Sequence, residues 1–150
     1  ITMGTFVSQE LVLKKFSITN SVILTIFPEK EQRVRLDKLK LGCDFEVFTS
    51  SNEDDTFDFI INLNIKCNED EKPGYFMDLG AVGEFSLKNR KSLSEKTERQ
   101  YILFTALPMV INGTRTFIQT VTALSPFGSF LLPALNLQEI IESHRDDSEG

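Results

Sequence analysis

Tryptophan is absent from this chain of 150 residues, histidine occurs once, and cysteine and tyrosine occur twice each. Each scarcity excludes some chemistry. His144 has no second histidine to share a zinc ion with, and so near the C-terminus a solvated side chain is its default. Cys43 and Cys67 are not in CxxC spacing and make no disulfide framework. Both fall on apolar positions of strand-like runs, the pattern of buried free thiols in a reducing compartment. Glycines cluster only at Gly80-Ala81-Val82-Gly83, which is too short for a dinucleotide fingerprint and sits within a strand pattern; there is no phosphate loop. No cofactor or metal is therefore expected. Apolar runs fall short of the ~20 residues of a membrane span, so no membrane insertion is expected. Positive charge is also short, at 16 Lys and Arg against 22 Asp and Glu, a formal net charge of −6. That argues against a nucleic-acid or anionic-membrane partner, which needs a basic footprint. With no targeting signal evident, the expected location is cytoplasmic.

Apolar residues are plentiful at 41%, and thirteen of them are Phe. Residues 1–150 have the length of one ordinary domain, which buries roughly 70% of its unfolded surface without a disulfide or metal. Alternation is clearest from Thr56 to Asn68, where Phe57, Phe59, Ile61, Leu63, Ile65 and Cys67 share one face of a strand. Val34 to Phe48 repeats it, with Leu39, Leu41, Cys43, Phe45 and Val47 on one side and a parity change that predicts a bulge near Asp37-Lys38. The polar stretch Ser50–Asp55 joins these two as a hairpin. After a turn closed by Pro73-Gly74, Tyr75 to Leu87 forms another strand, whose glycines point to a bend or a close backbone approach. Leu11 to Ile26 is a weaker strand with a parity switch at Lys14-Lys15. Together these predict a four-stranded antiparallel meander.

The second half changes period. Ser92-Leu93-Ser94-Glu95 has a capping-box pattern, and Tyr101, Phe104, Leu107, Ile111, Ile118, Val121 and Leu124 recur at steps of three and four. Pro108 predicts a kink, and Asn112-Gly113 competes as a hairpin signal. The helical face is the cleaner of the two, so a long kinked helix is preferred. Ser125 to Pro133 is a Phe- and Leu-rich connection. Asn136 then caps a short last helix carrying Leu137, Ile140 and Ile141, followed by a disordered acidic tail over 143–150. No residues mark a reaction, so binding is the working class. One four-stranded sheet cannot cover all this apolar material, which predicts a subunit interface or an open groove.

From Glu98 to Ile141 the chain resembles the C-terminal half of SecB-type export chaperones. The resemblance rests on Leu107-Pro108-Met109-Val110-Ile111, on Arg115 one turn later, on Phe127-Gly128-Ser129-Phe130, and on Leu132-Pro133-Ala134-Leu135-Asn136-Leu137. Gly83-Glu84-Phe85-Ser86-Leu87 and Lys15-Phe16-Ser17-Ile18 resemble strand patterns of the same family. This implies a SecB-like α+β fold: four antiparallel strands, a crossover, a long helix and a short C-terminal helix, assembled as a homotetramer, a dimer of dimers. It implies an ATP-independent holdase for unfolded or newly made polypeptides, serving protein export or stabilising an antitoxin. The expected client groove is Phe127, Phe130, Leu131, Leu132, Leu135, Leu137, Ile140 and Ile141, and the helical interface Leu107, Ile111, Arg115 and Ile118. Phe76 and Asp78 fall where the family docks SecA, but the acidic positions of the first strand read Lys15 and Thr19, which points to a SecB-like variant with weak SecA binding.

Two competing classes are a hot-dog-type thioesterase and a non-catalytic scaffold for one folded partner. Element order opposes the first, because the helix follows all four strands.

Overall fold

The structure is a computed structural model that describes residues 11–51, 56–88 and 93–149. Four strands, β1 (Leu11–Ile26), β2 (Leu41–Ser51), β3 (Thr56–Cys67) and β4 (Gly74–Lys88), form one antiparallel sheet. Helix α1 (Glu95–Tyr101) passes through a stretch with π geometry (Ile102–Ala106) into α2 (Leu107–Thr122), and α3 (Leu137–Glu149) closes the chain. The expected four strands, long helix and C-terminal helix are all present.

Strand order corrects the expected meander. The sheet runs β1-β4-β3-β2, so only β2, β3 and β4 are consecutive neighbours. Strand β1 lies at the far edge beside β4, and the link after it crosses to the opposite edge to start β2. Local alternation reports which face a strand buries and is blind to which strand lies beside it. The register of β1 on β4 shifts at Leu13/Lys15 and again at Ile18/Asn20, so the parity switch at Lys14-Lys15 is a bulge.

The run from Val34 to Phe48 is not one bulged strand. A short 3₁₀ turn at Leu36–Lys38 precedes β2, which begins only at Leu41. The Arg35 guanidinium grips both carboxylate oxygens of Asp37, at 3.1 and 3.0 Å, and holds that carboxyl below its usual range. At the next turn Asn68 is buried with φ 64°; its side chain donates to Lys72 O and accepts from Lys72 N, and its own N–H donates to Lys40 O. That one residue satisfies the turn and ties it to the lead-in of β2.

On the inner face Phe59, Ile61, Leu63, Ile65, Tyr75, Met77, Leu79, Phe85 and Leu87 are fully or almost fully buried. Cys67 lies among them and Cys43 is half-buried; both are free thiols. Burial pushes the Cys67 thiol up to about 11, and burial with the nearby Asp44 charge pushes Cys43 up to about 12. Neither has the thiolate character of a nucleophile.

Helix α2 covers this face along a track set by two glycines. A methyl on Gly83 would lie 2.6 Å from Val110 Cγ2 and 2.7 Å from Phe85 Cε2. A methyl on Gly113 would lie 2.8 Å from the Phe16 ring. At Gly83 the close approach expected of the β4 glycines is thus the seat of a helix, and Asn112-Gly113 is helical, not a hairpin turn.

The kink expected at Pro108 takes the form of the π-helical turn before it, where Leu107 N–H bonds to Ile102 O. Proline has no N–H to give and its ring crowds the carbonyl four residues back, so widening the preceding turn keeps the helix continuous. Ser94 is the N-cap, its side chain accepting from Thr97 N at 3.2 Å; Ser92 lies outside the described residues, as does the hairpin turn at 52–55. The C-terminal helix runs on to Glu149, past the point where disorder was expected. His144 lies in it and is not free in solvent: its ring stacks on Phe45 with centroids 4.4 Å apart, and its Nδ1 is 3.7 Å from Asp44.

Gly83→Ala therefore has no room for its methyl. It is expected to destabilise the fold by about 1–3 kcal/mol through overpacking, lowering the melting temperature by several degrees. Thermal denaturation followed by circular dichroism checks this; a melting temperature equal to the natural chain's would show that α2 does not seat on Gly83.

Candidate functional site

After α2 the chain runs without regular structure to α3, and its backbone groups need partners from elsewhere. Three side chains supply them, and a side chain of the connection bonds back to the helix. The buried Tyr75 hydroxyl donates to Gly128 O at 2.7 Å and accepts from Phe127 N at 3.0 Å. Buried Thr122 accepts from Phe130 N at 2.8 Å while donating to Ile118 O. Ser129 Oγ donates to Gln119 O at 2.8 Å, and Arg115 reaches Pro133 O at 3.3 Å. Gly128 takes the left-handed conformation, φ 79°, that this tight path requires. The connection is a built wall.

Tyr75 was legible in part. In a chain with thirteen Phe and two Tyr, a tyrosine on the buried face of a strand signals a hydroxyl with a partner. The sequence holds no sign of which partner, because Phe127 and Gly128 are more than fifty residues away.

Two apolar clefts open along β2, an edge strand of the sheet. The first, of about 300 Å³, is lined by Leu36 and Leu39 from the crossover, by Leu41 of β2 and by Phe130, Leu131 and Pro133 from the connection. The second, also about 300 Å³, lies between β2, α1 with its π turn, and α3; Phe45, Val47, Ile102, Leu103 and Ile141 line it, with Arg99, His144 and Arg145. From Leu41 to Val47 is six residues, roughly 20 Å of extended strand. A wider depression of about 460 Å³ lies over Gly80 on the outer face of the sheet, but Asn20, Asp44, Glu46, Asn62 and Asn64 line it, so it offers less to an apolar ligand.

The expected groove residues divide. Phe130, Leu132, Ile140 and Ile141 are buried within the chain, where they dock the connection and α3 onto the sheet. Phe127, Leu135 and Leu137 are half-buried; Phe127 packs between Phe27 and Tyr75. Leu131 is 65% exposed at the mouth of the first cleft. The crossover leucines were missed as site residues because their spacing reads as strand.

The expected helical interface also needs re-siting. Leu107, Ile111 and Ile118 face the sheet and are buried, and Arg115 serves the connection. The periodic face of a helix is the one it buries first. The apolar side chains this helix leaves exposed are Phe104, Met109 and Val121, with Leu124 just beyond its end. Phe76 and Asp78 are half-buried on the outer sheet face, in register with Leu24 and Val22 of β1, and Lys66 of β3 also faces Asp78. Lys15 stands opposite Glu84, and Thr19 sits at a bulge. No carboxylate on β1 joins Asp78.

No protein-family model and no curated protein sequence matches the chain. Among solved structures it is similar to the SecB-like chaperone Rv1957 of Mycobacterium tuberculosis, determined in complex with a ChAD peptide from the Rv1956 HigA1 antitoxin. The TM-score is 0.53 at 11% identity, covering 86% of this chain and 93% of that one. It is also similar to a Streptococcus agalactiae protein of unknown function, with a TM-score of 0.49 at 9% identity, covering 84% of this chain and 98% of that one. The first likeness shows the fold, which is SecB-like.

Tyr75→Phe removes one hydroxyl and leaves the Phe127 N–H and Gly128 carbonyl without it. We expect a loss of about 1–3 kcal/mol and faster amide exchange at 126–130 than in β4. Hydrogen-exchange mass spectrometry reads both regions at once. Unchanged protection at 126–130 would mean the hydroxyl does not hold the connection.

Proposed function

We propose that this chain is a non-catalytic, ATP-independent chaperone of the holdase type, binding unfolded polypeptide along the β2 edge through the two apolar clefts. The observation that carries the reading is that both clefts are open in a chain whose buried connection residues already complete the core. An unfolded client exposes apolar surface, and covering it is worth roughly 25 cal/mol per Å² before ordering costs. The free edge of β2 offers backbone donors and acceptors to any sequence, so breadth comes from main chain and selectivity from the clefts. The likeness to a chaperone solved with an antitoxin peptide supports a peptide client of that kind. The outer sheet face, with Lys15 and Thr19 in place of acidic partners for Asp78, disfavours delivery to SecA. The net charge of −6 helps keep such a surface soluble.

The exposed side of the long helix is the surface we assign to self-assembly, towards the homotetramer that the resemblance implies. Phe104 is 53% and Met109 39% exposed, on a helix whose other side is already covered. Met109→Asp with Phe104→Asp places charges where a second copy would pack while sparing the core. Sedimentation velocity should show a smaller particle than the natural chain; an unchanged mass would remove this face from any interface.

The client site is tested at Leu131. Because its side chain is exposed, Leu131→Ser should change stability by no more than about 0.5 kcal/mol. It should nonetheless weaken suppression of a model client's aggregation several-fold. Phe130→Ala, in the core beside it, should cost about 3–5 kcal/mol. Full holdase activity in Leu131→Ser would exclude the first cleft as a client site.

A further inference from the structure

The two clefts differ in charge. The first carries one acidic side chain, Asp37, already gripped by Arg35. The second carries two arginines, Arg99 from α1 and Arg145 from α3, with the His144 ring beside them, around a floor of Phe45, Val47, Ile102, Leu103 and Ile141. Among the described residues the Asp44 carboxylate lies 3.7 Å from His144 Nδ1, and Arg145 is already engaged within the chain. Arg99 is exposed and forms no ion pair among the described residues. An apolar floor with the Arg99 guanidinium at its rim suits a ligand that is apolar with one anionic end. The chain as a whole repels anions with its net charge of −6, so only local bases can explain a preference for one.

We infer that this second cleft receives the C-terminal end of an apolar polypeptide, the last side chains filling the floor and the free terminal carboxylate meeting Arg99. The inference rests on the holdase reading and names the part of a client that the β2 channel selects. A volume of about 300 Å³ is at the lower limit for ligand pockets, ~300–1,000 Å³, which suits a short peptide end and not a long acyl chain. A terminal carboxylate leaves the side chains beside it apolar. An acidic side chain would take the place of one of them and give up its buried area. The planar fork of an arginine matches a carboxylate with two parallel hydrogen bonds.

The test uses the full chain and three dye-labelled peptides that share one apolar sequence, read by fluorescence anisotropy. One ends in a free acid, one in an amide, and one in an amide with an internal Asp near its end. A charge-assisted contact at a half-open rim predicts that the free acid binds about ten-fold more tightly than the amide at low salt. The internal-Asp amide should bind within about two-fold of the plain amide, since it gives up an apolar contact for its charge. Arg99→Gln should reduce the acid-to-amide ratio to about two, whereas Lys96→Gln, whose side chain does not line the cleft, should keep it. Equal binding of acid and amide, or a ratio that survives Arg99→Gln, would overturn the inference. An internal-Asp amide that matches the free acid would overturn recognition of the chain end. If acid and amide bind alike while aggregation of a model client is still suppressed, only this inference fails. If no peptide binds and no suppression is seen, the holdase reading fails with it.

Discussion

Val110 of the long helix sits over Gly83 of the sheet, and Phe16 of the sheet sits under Gly113 of the helix. Each partner removes a side chain where the other inserts one. The pair of contacts fixes where α2 crosses the strands and at what rotation, and the rest of the second half is placed from there. Ile118 and Thr122 reach the sheet side at the helix end, and Leu107 and Ala106 are fully buried at its start. With the helix face set, the π turn at Ile102–Ala106 lets α1 continue past Pro108 without breaking the rod.

The connection from α2 to α3 is held by polar groups. A loop that crosses an apolar sheet brings N–H and C=O groups that lose water, and each orphan would cost about 1–3 kcal/mol. Tyr75, Thr122 and Arg115 answer four such points within seven residues of connection, at Phe127 N, Gly128 O, Phe130 N and Pro133 O. Phe130 and Leu132 can then be buried without the loop being pulled off the sheet, and Leu131 between them is left facing out. The apolar wall of the first cleft is a by-product of that alternation.

The placement of β2 at the sheet edge decides what the remaining apolar surface can do. A central strand has both backbone edges occupied. An edge strand keeps one free, a hazard that proteins usually blunt by covering it or charging it. Here α3 packs on β2 with Ile140 and Ile141 buried and His144 stacked on Phe45, so the edge is covered in part and apolar clefts open along it.

The sequence by itself determined the elements. Alternation set β3 and β4 close to their observed limits, the parity switch in β1 is a bulge, and the apolar face of 107–122 is helical despite Asn112-Gly113. These are local properties, decided by side-chain period and backbone conformation within a few residues. The resemblance to SecB-type chaperones added the order of layers. Strand order, the choice of Leu36 and Leu39 as cleft walls, and the burial of Phe130, Leu132, Ile140 and Ile141 were decided only by the tertiary structure. So were the partners of Tyr75 and the stacking of His144 on Phe45. Each depends on groups dozens of residues apart meeting across the core, and the pattern of one segment holds no information about which other segment will lie against it.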